Sequence, residues 1–218
     1  PPRSTLFPYT TLFRSAQKLK DAISELANFK PSEINPHLAD EILESIKSAF
    51  DSEHGGFGGA PKFPHPGALD FAIHQWFKTK DKTIQSIVET TLIKMGDGGV
   101  YDQLGGGFHS YSTDERWIVP HFEKMSYDNS ELLKVYAHAY QTWGNPYFKT
   151  KALDIIRWIT DVLSDRKNGG FYTSQDADID LADDGNYFTW RQQEAQDALS
   201  KEEAEIVIPY FDIETYGE

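Results

Sequence analysis

The sequence predicts an all-α protein, an up-and-down array of antiparallel helices whose connections alternate between short and long. Three observations carry this reading. From Asn35 onward, apolar residues recur at three- and four-residue spacing through most of the chain. Capping residues, prolines and glycines fall where those stripes should begin and end. Strand character is confined to Phe171–Ser174 and Tyr187–Trp190, which are expected to pair as one small β-hairpin inside a loop.

Leu38, Ile42, Ile46 and Phe50 repeat every four residues and define the first helix. Pro66 suits a first helical position, and Leu69, Ile73, Trp76 and Phe77 form one face behind it. Asp81 is placed to cap the next helix, whose stripe is Ile84, Ile87, Val88, Thr91, Leu92 and Met95. Asp128 with Glu131 has the spacing of a capping box ahead of Leu132, Leu133, Tyr136, Ala139, Tyr140 and Trp143. Asn145-Pro146 opens a helix with Phe148, Ala152, Ile155, Ile159 and Val162 facing inward, and Arg166, Lys167 and Gly169 mark its end. Thr189 with Gln192 and Ser200 with Glu203 suggest two shorter helices.

The connections carry the functional expectation. Those after the first, third and fifth helices are long, roughly 51–65, 96–127 and 168–188, and the intervening ones are a few residues. In an up-and-down array all odd-numbered helices end on one side, so the three long loops should crowd onto one face. Loops longer than about 12–15 residues inside a compact domain are usually functional.

Composition narrows the classes of function. Of 218 residues, 39% are hydrophobic and 14% aromatic, which suits a globular chain. The net charge of −13 argues against nucleic-acid binding, since phosphates require a basic stripe. No apolar run has the length of a membrane span. The absence of cysteine excludes disulfides, thiolate metal sites and cysteine nucleophiles from this segment, and is compatible with a cytoplasmic setting.

The first long loop reads GGFGGAPKFPHP. The second places Asp102, His109, Asp114, Glu115, Arg116, His121, Glu123 and Asp128 among Tyr101, Phe108, Tyr111, Trp117 and Phe122. The third sets Asp176 and Asp178 behind an aromatic strand. Histidines and carboxylates exchange protons, and aromatic faces exclude water, so the combination suits a polyol ligand such as a sugar. Two carboxylates flanking a glycosidic bond are one chemistry for such a site. Simpler readings stand beside these. In these, Arg116 serves only to pair with Asp114 or Glu123, and the Gly-Gly pairs only to end helices. The H-x-E pair His121 and Glu123 is too small to define a metal site. Asp176, Asp178 and Asp180 begin like an EF-hand loop, but Leu181 and Tyr187 stand where Gly and Glu are required. No metal and no cofactor is expected.

Residues 1–15 stand apart. Written back into codons, Thr5–Ser15 (TLFPYTTLFRS) reads as a sequencing-library adapter, so this stretch is expected to be non-native and to pack poorly. The natural chain is then expected to begin upstream.

GGFGGAPKFP, YDQLGGGFHSYSTDERWIVPHFEKMSYDN, GGFYTSQDAD and YFTW together resemble the thioredoxin-domain-containing family typified by spermatogenesis-associated protein 20. The resemblance covers roughly residues 16–218. It implies an N-terminal thioredoxin-like domain, missing here, followed by an (α/α) toroid of the six-hairpin glycosidase type, similar to N-acylglucosamine 2-epimerases. On that basis residues 16–34 are a linker or helix after the missing domain, and residues 35–218 an incomplete toroid. The implied function is carbohydrate binding or transformation. His109 and His121 are the proton-transfer candidates, and Asp114, Glu123 and Asp176 the candidate acids or bases. Arg116, Asp102, Asp128, Phe108, Tyr111 and Trp117 are the candidate ligand contacts. The alternative is a noncatalytic module that binds a ligand or partner for the covalently linked thioredoxin-like domain.

Overall fold

A computed structural model describes residues 16–24, 35–178 and 185–215. The expectation for Thr5–Ser15 lies outside these residues, as does Asp180. The chain divides into two compact units, Pro1–Ala39 and Asp40–Glu218. In the first, residues 16–24 are helical, with Gln17 Nε2 donating to Asp21 Oδ1 at 2.7 Å.

Numbered from Leu38, the helices are α1 (Leu38–Ala49), α2 (Pro66–Thr79), α3 (Lys82–Asp97), α4 (Ser126–Trp143), α5 (Pro146–Trp158), α6 (Gln192–Ala198) and α7 (Lys201–Tyr210). Helix α2 packs on α3 and α4, α4 on α5, and α6 on α7. The connections alternate as expected: two residues or so separate α2 from α3, α4 from α5 and α6 from α7. Among the described residues, no helix is long and apolar enough to cross a membrane.

The α3 stripe is buried in full, from Ile84 to Met95, and Asp81 caps it by accepting the Thr83 N–H at 2.8 Å. Asn145 caps α5 in the same way through Tyr147, and Ser200 and Glu203 form the reciprocal box that opens α7. Phe108 stacks on Tyr136, which meets Phe148 at a tilt, through the centre of the core.

Several expectations require correction. In α1 the buried residues are Leu43 and Ile46, whereas Leu38 and Ile42 are exposed. Asp128 does not cap α4. Met125 holds that position, and Asp128 lies in the first turn accepting from Ser110 Oγ at 3.1 Å. Arg191, not Thr189, precedes α6, with its N–H donating to Glu194. Val162 is exposed because Ile159–Leu163 forms a π-helical turn, which rotates the stripe and buries Leu163 instead. Phe171–Ser174 does not pair with Tyr187–Trp190. The small hairpin lies in the second long loop, where β1 (Tyr111–Ser112) pairs antiparallel with β2 (Pro120–His121). A second short pair joins two loops: β3 (Lys124–Met125) with β4 (Ser174–Gln175).

The long loops share a turn that the helical pattern does not announce. Each carries Asp-x-x-x-Gly-Gly-Phe at or near its start: DSEHGGF at Asp51, DQLGGGF at Asp102 and DRKNGGF at Asp165. In each, the Asp main chain bonds to both glycines, and the Asp carboxylate accepts N–H groups two and three residues ahead. The closed turn requires positive φ at both glycines, 71° and 78° at Gly55 and Gly56 and 78° at Gly106 and Gly107.

In the first two copies a buried lysine completes the turn. Lys62 Nζ lies 2.5 Å from Asp51 Oδ2 and 3.0 Å from the Gly55 carbonyl. Lys124 Nζ lies 2.5 Å from Asp102 Oδ2 and 2.9 Å from the Gly106 carbonyl. An indole covers the second glycine each time. A Cβ would meet Trp117 at 2.5 Å from Gly56, and Trp158 at 2.8 Å from Gly107. Each lysine then bonds forward to the following loop, Lys62 to Ser112 and Lys124 to Gln175, four residues past that loop's Phe. The loop that begins at Asp165 contains no lysine between Phe171 and Trp190. There the carboxylate is held by Asn168, Gly170 is open, and Phe171 is 65% exposed where Phe108 is fully buried.

Removing one partner of a buried pair leaves the other charge uncompensated. Lys124→Met should therefore destabilise the chain by about 3–5 kcal/mol in urea denaturation. Asp165→Asn, in the copy with no lysine, should shift the midpoint far less; equal losses would contradict the distinction between the copies.

Candidate functional site

The three long loops meet on one face, with the second in the middle. The first touches it through the Lys62–Ser112 bridge and the Trp117 Nε1 bond to the His54 carbonyl at 3.1 Å. The third touches it through β3–β4, the Ser126 N–H bond to Thr173, and Phe188, which stacks against Phe122.

The segment from Pro120 to Met125 presents the site. Side chains of an extended segment alternate, so His121 and Glu123 share one face while Phe122 and Lys124 take the other. Lys124 is buried with Asp102, and Phe122 packs against His109 and Phe188. The outward pair meet each other: His121 Nδ1 lies 2.5 Å from Glu123 Oε2. His121 also stacks on Tyr111, with centroids 4.9 Å apart and planes at 11°, and Tyr111 stacks on Phe63 at 4.8 Å. The result is a partly exposed ladder of three flat rings with a carboxylate at one end. A carboxylate accepts only, so His121 Nδ1 carries the proton of this contact.

His109 is placed differently. It is buried, its ring lies edge-on to Phe122 and Phe188, and Nδ1 lies 2.5 Å from the Phe122 carbonyl. Because a carbonyl only accepts, Nδ1–H donates. Burial, with the nearby Lys124 ammonium, lowers its pKa to about 4, so His109 is neutral and holds the strand that carries His121. Among the described residues the two histidines share no ring neighbour.

Other candidates serve the loops. Asp114 accepts N–H groups from Arg116, Ile118 and Val119. Burial opposes its charge most strongly, but these donors together hold its carboxyl below the usual range. Asp102 is likewise opposed by burial and held low by Lys124 and the loop N–H groups. Asp128 is half-buried, and burial raises it despite Ser110. Asp176 is exposed and accepts the Asp178 N–H at 3.2 Å.

Burial overturns two expectations, and exposure a third. Phe108 and Trp117 do not face a ligand. Phe108 belongs to the core, and Trp117, at positive φ (67°), is buried over Gly56. Arg116 forms no ion pair among the described residues. Its side chain is exposed, where water solvates the guanidinium and no acid partner is needed. Phe63 and Phe188 join the aromatics of the second loop, Phe122 among them, through stacking between loops that local spacing does not announce.

No protein-family model matches the chain. Over 203 residues, 87% of this chain, it is 34% identical to human spermatogenesis-associated protein 20, and over 166 residues, 72% of the chain, 39% identical to the mouse protein. The chain spans 26% and 21% of those relatives' lengths. Among solved structures, it is similar to the cellobiose 2-epimerase of Spirochaeta thermophila, with a TM-score of 0.58 and 22% identity over 79% of this chain and 41% of the other. It is also similar to a family 76 glycoside hydrolase from a bovine Bacteroides thetaiotaomicron strain, with a TM-score of 0.54 and 13% identity over 80% of this chain and 41% of the other. These likenesses give the fold: antiparallel helical hairpins of the (α/α)-toroid type.

A neutral native His109 makes stability depend on pH in a defined direction. Unfolded, it binds a proton near its ordinary value of about 6.5; folded, only near 4. Between those limits the unfolded state holds more protons, so stability falls as pH falls through this window. His109→Phe should flatten this limb of a denaturation-versus-pH curve. An unchanged slope would place the neutral histidine elsewhere.

Proposed function

We propose that this stretch, homologous to spermatogenesis-associated protein 20 and built as part of an (α/α) toroid, supplies one wall of a carbohydrate-handling site. The observation that carries the reading is the His121–Glu123 pair beside the Tyr111 and Phe63 rings on the face where the long loops meet. Flat rings suit the apolar faces of a sugar, and the hydrogen-bonded His121–Glu123 pair suits its hydroxyls and its exchangeable protons. His121 Nε2 would accept a proton while Glu123 orients the ring and stabilises the imidazolium that forms. Asp176 is the further acid from the third loop.

Proton transfer of the epimerase kind fits this wall better than glycoside hydrolysis. Hydrolysis calls for two free carboxyl groups across a bond, and Asp102 and Asp114 are already engaged by Lys124 and by main-chain N–H groups. That same engagement favours a second reading, a noncatalytic binding module acting for a covalently linked thioredoxin-like domain in the longer, cytoplasmic protein. Neither reading involves nucleic acid or a membrane.

The two readings separate in the longer protein, screened against sugars and sugar phosphates by calorimetry and turnover. Catalysis predicts that His121→Gln lowers kcat by about 10²–10⁴-fold with little effect on binding, and that Glu123→Gln lowers turnover with helical content intact. A binding module predicts weaker binding and no turnover to lose. Wild-type binding and turnover in both variants would overturn both readings.

A further inference from the structure

We propose that Asp70, His74 and His138 bind a zinc-like divalent transition-metal ion between α2 and α4, on residues separate from the His121–Glu123 pair. Asp70 and His74 are one helical turn apart and so lie on the same face of α2. Helix α4 packs against α2 and brings up His138, whose Nδ1 lies 2.6 Å from Asp70 Oδ1. The two imidazoles approach edge-on, with centroids 5.7 Å apart. One ligand atom from each residue lies within 4.8 Å of the other two.

A tetrahedral zinc ion with bonds of about 2.0–2.1 Å spaces its ligand atoms about 3.4 Å apart. The site must therefore contract by roughly an ångström at its widest separation, and open by somewhat less between Asp70 Oδ1 and His138 Nδ1, now 2.6 Å apart. The residues differ in a way that permits this. The Asp70 side chain is 17% exposed and that of His138 35%, so helix packing fixes them, whereas His74 is 61% exposed and has room to rotate inward. The supporting contacts also suit an ion. Lys134 Nζ lies 3.7 Å from Asp70 Oδ2 and is itself paired with Glu131 at 2.5 Å. It steadies one carboxylate oxygen, while the other, Oδ1, faces His138 Nδ1. Inward rotation gives up the His74 Nδ1 contact with the Asp70 carbonyl, 2.8 Å, an exposed contact that water can replace. Two imidazoles and one carboxylate select zinc, cobalt, nickel or copper over calcium or magnesium. Three protein ligands leave a fourth position for water.

The test uses the whole chain after chelator treatment, titrated with Zn²⁺ by calorimetry and with Co²⁺ by visible absorption. The expected result is one equivalent of Zn²⁺ and a tetrahedral Co²⁺ spectrum. His74→Ala, at an exposed position that should not disturb folding, and His138→Ala should each weaken binding by more than about 100-fold, beyond the usual loss for an outer-shell partner. His121→Ala should leave binding unchanged, which separates this site from the H-x-E pair. No saturable binding, binding that survives His74→Ala, or binding lost only in His121→Ala would overturn the proposal.

Discussion

Lys62 and Lys124 are buried ammonium groups on the loop side of the protein, and the arrangement of the loops follows from how each is satisfied. A buried charge requires an opposite charge and further hydrogen-bond partners. Each lysine finds a carboxylate, Asp51 or Asp102, and a glycine carbonyl, Gly55 or Gly106. That carbonyl points at the ammonium only when the turn closes through two residues at positive φ, which is why glycine pairs recur there. Burial works against the Asp51 charge, yet Lys62 and the N–H groups of His54 and Glu53 hold its pKa at about 2. The indoles of Trp117 and Trp158 close the opposite side. A side chain at either second glycine would displace an indole and open the charge to water.

The candidate site inherits its geometry from this anchor. Lys124 points inward, so residue 123 points outward and 121 with it, by the two-residue period of an extended chain. His109 secures the same strand from beneath through the Phe122 carbonyl. His121 and Glu123 therefore meet on the surface because their neighbours are held below. The Tyr111–Phe63 stack depends on the first anchor in the same way, since the Lys62–Ser112 bridge sets the two loops side by side.

Much of the fold was legible because helices are local. The α3 stripe, the Asp81 and Asn145 caps and the Ser200–Glu203 box are all written within a few residues of one another. The alternation of loop lengths made the shared face legible as well. The errors came from non-local contacts. Val162 shifted because of a π-turn, and the strand pairing crossed loops, β3 to β4, where local pattern suggested one hairpin. Site residues were legible by type but not by role. His109, Asp102 and Asp114 carry reactive groups that the fold uses internally, and Phe108 and Trp117 went to the core and to a glycine turn. The repeated Asp-x-x-x-Gly-Gly-Phe is the sequence signature of these turns. Aligning the three loops on it marks the aspartates as turn-formers and points to Lys62 and Lys124 as their partners.

Native-state hydrogen exchange on the wild type and Lys124→Met tests this account most directly. If the buried lysine ties the loops together, the variant should lose protection at the Asp102–Gly107 turn, the Ser110 N–H bonded to Glu123, and the Lys124–Gln175 pairing as one unit. Protection of the α3 and α4 amides around Leu92 and Tyr136 should persist. Loss confined to the Asp102 turn, with the Ser110 and Gln175 amides still protected, would contradict the claim that this interaction positions His121 and Glu123.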